Sequence, residues 1–104
     1  MSFDLEGLMK QAKKMQERMR QIQEELADER VESVTGGGMV KVVVNGQQEV
    51  IGVTISNEAL DAGAEMLSDM VLVAITDAMK KSRDMAQERF GQLTGGMNFP
   101  GLNF

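Results

Sequence analysis

The chain has 104 residues, 42% hydrophobic and 26% charged, with a net charge of −5. This is one small domain, too apolar to be disordered, and short enough that a folded monomer buries only about two thirds of its surface, which makes a partner chain an expectation. Cysteine and histidine are both absent, which excludes disulfides, Cys/His zinc sites, cysteine nucleophiles and imidazole proton shuttles. The chain opens on Asp4 and Glu6 and holds no apolar run near the roughly 20 residues that span a bilayer. No membrane association is expected, and the location is expected to be cytoplasmic.

From Leu5 the apolar positions run Leu5, Leu8, Ala12, Met15, Met19, Ile22 and Leu26, alternating three and four as in a coiled-coil seam. Asp4 suits an N-cap, and the pattern predicts one helix from Asp4 to Glu29. The period then changes to two. Arg30 to Thr35 is a weak strand candidate, followed by a flexible turn at Gly36, Gly37 and Gly38. Met39 to Val44 and Gln48 to Ser56 are strands rich in Val and Ile around Asn45-Gly46. That dipeptide predicts a two-residue hairpin pairing Val44 with Gln47, Val42 with Glu49 and Val40 with Ile51. One sheet face then carries Val40, Val42, Val44, Ile51, Val53 and Ile55; the other is half apolar, with Met39, Val43 and Val50 beside Lys41 and Thr54.

Residues 57–63 read as a short turn or a single helical turn. Helical spacing returns from Ala64 to Phe90, more apolar in its first half, with Gly91 where a C-terminal glycine cap belongs. The domain is therefore expected over 1–91, with a flexible Gly- and Asn-rich tail over 92–104.

Catalytic signals are sparse. The glycine run lies between strands, not before a helix as in a phosphate loop. Glu24, Glu25, Asp28, Glu29 and Glu32 read as a solvated acidic face rather than a metal site, and the ten methionines as core filling. No metal, cofactor, small-molecule substrate or enzymatic activity is expected.

The basic residues carry more. Lys10, Lys13, Lys14, Arg18 and Arg20 lie between Leu8 and Ile22 against one acid, Glu17, and at 100° per residue all five fall on the half of the helix away from the seam. Lys10, Lys14 and Arg18 stack at i, i+4 and i+8, a like-charge column that costs a few tenths of a kcal/mol per pair. No acid stands within helical reach of Arg18. The conflict points to an external anion such as duplex DNA; the plain alternative is a solvated coiled-coil face. A second group, Lys80, Lys81, Arg83 and Arg89, is a weaker candidate, because Asp77 and Asp84 lie within helical reach of Lys80 and Lys81.

Taken together, the helix reading Leu8-Met9-Lys10-Gln11-Ala12-Lys13-Lys14-Met15-Gln16-Glu17, then Gly36-Gly37-Gly38-Met39-Val40-Lys41-Val42, Asn45-Gly46 and Leu93-Thr94-Gly95-Gly96, resembles the YbaB/EbfC family of bacterial nucleoid-associated proteins. The resemblance implies an α+β, α-β-β-β-α protomer with two long helices and a three-stranded antiparallel sheet. It also implies a homodimer and non-catalytic DNA binding in the nucleoid. The family pattern often has Asp-Pro where this chain has Asn57-Glu58. A rival expectation is a dimeric coiled-coil-like adaptor that binds another protein and no DNA.

Overall fold

The computed structural model describes residues 4–93. Helix α1 spans Leu5–Asp28, and Asp4 caps it by accepting a hydrogen bond from the Gly7 amide at 3.0 Å. Strands β1 (Arg30–Thr35), β2 (Val40–Asn45) and β3 (Val50–Ile55) form an antiparallel sheet in the order β1-β2-β3. A single helical turn, α2 (Asn57–Leu60), is capped by the Ser56 hydroxyl and leads to the long helix α3 (Ala64–Leu93). The expected fold class and element order are therefore observed, including the weak strand at Arg30.

Helix α3 serves two partners in succession. Its small residues recur every fourth position, as Ala74, Ala78, Ser82 and Ala86, all buried. Ala74 and Ala78 bring the helix close to the fully buried Val40, Val42 and Val44 of β2, and Leu67, Met70, Val71 and Ile75 close the flanks. Further along, Ala86 and Phe90 enclose Ile22 and Leu26 of α1, with Met19, Met85 and Leu93 around them. Edge strand β1 is fastened to the same helix by Ser33 Oγ donating to Asp77 Oδ2 at 2.8 Å and by Thr35 Oγ1 donating to the Met70 carbonyl at 2.9 Å.

Two sequence expectations fail here. The hairpin is not a two-residue Asn45-Gly46 turn. Val40 faces Ile55 and Val42 faces Val53, a slide of four residues from the expected register, with a bulge that sets Val44 opposite Val50. An even slide keeps Val53 and Ile55 on the expected face, but the bulge moves Val50 onto it as well. Asn45 closes the new loop locally: its side-chain oxygen accepts from the Gln47 and Glu49 amides at 2.9 and 3.0 Å, and its backbone amide donates to the Glu49 carbonyl at 2.9 Å. Residues 46–48 become the loop, with Gln48 at φ 61° in the left-handed position usual for three-residue hairpins.

The second failure is Gly91, which sits inside α3 instead of ending it. An internal glycine costs about 1 kcal/mol against alanine, an amount offset by the burial of Phe90 and the packing of Leu93 beyond it. The expected tail beyond Leu93 lies outside the described residues.

Candidate nucleic-acid interface

The hairpin loop positions α1. A helix leaves its last carbonyls without intrahelical donors, and the loop supplies two of them: the Gly46 amide donates to the Leu26 carbonyl at 2.8 Å and Asn45 Nδ2 to Ala27 at 3.4 Å, while Gln47 Nε2 adds a bond to the Gln23 carbonyl a turn earlier at 2.7 Å. Arg30 adds a donation to the Ala27 carbonyl at 2.9 Å. Glycine is required at position 46 because a Cβ there would stand 2.6 Å from the Leu26 oxygen, so the residue that resembles a turn signal serves as a contact. The Ser82 hydroxyl, fully buried, donates to the Asn45 carbonyl at 2.7 Å and accepts from the Gln48 amide at 3.2 Å. Loop, α1 terminus and α3 thus lock one another.

Outward of Met19 the support ends. From Leu5 to Arg18 no side chain of α1 is buried, and this stretch is a single exposed helix about 20 Å long at 1.5 Å per residue. The first twenty residues hold five basic and three acidic side chains, whereas the remainder holds six basic against thirteen acidic. Between these two parts, a net positive charge is therefore found only over the first twenty residues of a negative protein.

The five arm cations are not equivalent. Among the described residues Lys10, Lys13 and Lys14 have no ion pair, and Arg18 donates to the neutral Gln21 Oε1 at 3.0 Å. Arg20 differs: it binds Glu17, and its other guanidinium nitrogen reaches Glu24 at 2.5 Å. The hydrogen bond and charge of Arg20 hold the Glu17 carboxyl below the usual glutamate range, and Glu17 in turn raises Arg20. Glu24 lies one turn inward of Arg20 and two residues beyond Ile22, outside the Leu8 to Ile22 span in which Glu17 is the one acid.

The second group is largely answered. Lys81 pairs with Asp77 at 3.2 Å and donates to the Glu32 carbonyl at 3.0 Å; Lys80 stands 4.0 Å from Asp84. Arg89 meets Glu29 at 2.5 Å and Glu25 at 3.6 Å, a long-range pairing that tethers α3 to the acidic end of α1. Helical spacing cannot reveal such a contact. Arg83 alone of the four has no ion pair among the described residues. A shallow pocket between α1, the loop and α3 is lined by Gln23, Leu26, Gly46, Gln47, Gln48, Ala86 and Phe90, with no acid, base or nucleophile. No group of three acidic residues is arranged to hold a metal among the described residues.

Residues 1–97 match the profile of the YbaB/EbfC DNA-binding family. The chain belongs to that family. It is similar to proteins named nucleoid-associated protein from Pelotomaculum thermopropionicum and Desulforamulus reducens, 48% and 47% identical over 103 residues, 98% of this chain and of each relative. A crystal structure of an uncharacterized protein from Helicobacter pylori superposes with a TM-score of 0.83 over 90% of this chain and all of that one; at 24% identity it bears on the fold alone. On this YbaB/EbfC chain, four of the five cations of α1, Lys10, Lys13, Lys14 and Arg18, meet no carboxylate among the described residues, and Arg20 alone of the five is paired.

Proposed function

We propose that this protein is a dimeric, non-catalytic DNA-binding protein of the nucleoid whose α1 arms contact the phosphate backbone through Lys10, Lys13, Lys14 and Arg18. Arg20 joins them only when phosphate displaces Glu17 and Glu24. The carrying observation is the column Lys10, Lys14 and Arg18 at successive turns of an exposed helix, with no acid of the described residues paired to any of them. A protein with a net charge of −5 gains nothing in solubility from concentrating cations there. Aliphatic cations and few base-reading groups favour positioning on phosphates, so sequence preference is modest. Lys80, Lys81, Arg83 and Arg89 are secondary candidates, with Arg83 the most available.

Dimerisation is supported by apolar surface that the protomer leaves open. Helix α3 packs on β1 and β2 and leaves β3 uncovered, so Val53 is 45% and Ile51 49% exposed; Leu72 on the first half of α3 is 64% exposed. That much apolar surface on a small chain marks an interface. Light scattering at low micromolar concentration should return twice the 11.4 kDa chain mass.

A gel-shift titration at two salt concentrations tests the DNA reading. With about five phosphate contacts, affinity falls by about 10² to 10³ between roughly 50 and 200 mM salt. Absence of binding at low salt would leave the adaptor reading in its place.

A further inference from the structure

The apolar seam of α1 is covered over only part of its length. Met19, Ile22 and Leu26 pack on α3, whereas Leu5, Leu8, Ala12 and Met15 continue the same three-four spacing along the arm with no cover among the described residues; Leu8 is 48% and Met15 39% exposed. We infer that this outer seam is a second self-association surface, which pairs with the same stretch of α1 in another copy of the chain.

The charge pattern argues for a helix of the same kind as the occupant. In heptad terms Leu5, Ala12 and Met19 are a positions and Leu8 and Met15 are d positions. Of the flanking e and g positions along the arm, which lie closest to a paired helix, Met9, Gln11 and Gln16 are uncharged and Arg18, at the g position beyond Met15, is the one cation, while the lysines all fall on the outward b, c and f positions. Two copies therefore bring their seams together without opposing lysines. Three uncharged flanking positions beside the apolar seam are unexplained if the arm only faces water. The contact is isologous, since one patch meets itself.

Two heptads bury little area, so the pairing is weak. Its ordering cost is low because α1 is already capped at Asp4 and held at its inner end by α3 and the hairpin loop. The surface lies on the opposite side of the helix from Lys10 and Lys14, with Arg18 at its border. On the DNA reading given above, neighbouring molecules bound to one duplex present their seams at high effective concentration, and molecules on two duplexes join them.

The test compares three full-length proteins: wild type, the double variant Leu8→Gln/Met15→Gln, and Ala12→Leu. Glutamine preserves helix propensity and leucine extends the seam. Without DNA, sedimentation over a concentration series should show wild type passing from its smallest assembly to a larger one. Ala12→Leu should do so at lower concentration, and the double variant not at all. With DNA, capture of a second, labelled duplex on beads carrying the first should follow the same order, while affinity for a short single-site duplex stays the same in all three. Larger assemblies formed equally by the double variant would overturn the inference, as would their absence in both wild type and Ala12→Leu. Loss of short-duplex binding in wild type would instead count against the DNA reading, and the sedimentation series would still decide this one.

Discussion

The two halves of α1 share one seam and one helix yet do different work. The inner half, Met19 to Asp28, is acidic and anchored: its apolar residues are enclosed by α3, its last carbonyls are taken by the hairpin loop, and Glu25 and Glu29 hold Arg89. The outer half, Leu5 to Arg18, is exposed and carries cations that no acid of the described residues pairs with. The comparison shows that periodicity reports which side of a helix is apolar without reporting where along its length that side is covered. A cation accordingly has opposite meanings at the two ends of α1: Arg89 of α3 is a tether because Glu25 and Glu29 stand beside it at the inner end, and Lys14 of the outer half is available because no acid of the described residues pairs with it.

The sharpest way to break the contrast is to loosen the anchor. Leu26→Ala removes a buried side chain at the α1–α3 contact, and should cost about 2–5 kcal/mol in chemical denaturation; a loss below about 1 kcal/mol would mean that α1 is held by its loop alone. Gly46→Ala attacks that loop by placing a Cβ 2.6 Å from the Leu26 carbonyl, and overpacking of this kind costs about 1–3 kcal/mol. The retained helix content but altered arm position should appear as weaker DNA binding in the folded variant.

On the outer half, Lys10→Gln, Lys14→Gln and Arg18→Gln combined should leave stability unchanged or slightly higher, because two like-charge i, i+4 contacts disappear. DNA affinity should fall, and the slope of log affinity against log salt should shallow by up to about three units per protomer. The matched triple Lys80→Gln, Lys81→Gln and Arg83→Gln should weaken binding less, since Asp77 and Asp84 already hold two of those charges. Equal losses from the two triples would remove α1 as the principal DNA surface.

The smallest effect concerns pH. Ser33 and then Lys81 hold the Asp77 carboxyl below its usual range. A depressed carboxylate stabilises the fold above the unfolded value and loses that contribution as pH falls through the folded one. Wild type should therefore lose stability more steeply than Asp77→Asn below about pH 4, as thermal melts between pH 5 and 2 would register. Parallel pH profiles would show that the Ser33 contact is structural only.

Most of the fold was legible because its signals are local. The seam, the change of period at Arg30, the Val and Ile strands and the return of helical spacing at Ala64 each report on neighbours within a turn or a strand. The candidate site was half legible for the same reason. The column of Lys10, Lys14 and Arg18 follows from a 100° step, as do the intrahelical partners of Lys80 and Lys81. Glu24 was also within one turn of Arg20 and is found by counting i+4 inward from each cation as well as outward.

What remained hidden was decided at a distance. Asn45-Gly46 has the composition of a two-residue turn, but the carbonyl of Leu26 and the hydroxyl of Ser82 act on that loop from residues nineteen positions or more away. They favour the register in which Gly46 meets α1. Gly91 has the composition of a helix end, yet Phe90 and Leu93 find a partner on α1 and the helix runs on. Sequence alone determined the elements, the faces of each helix and the separation of its charges, because these depend on covalent spacing. Tertiary structure decided the hairpin register, the end of α3, the engagement of Arg89 and the point at which α1 leaves its support, because each depends on which surfaces pack together.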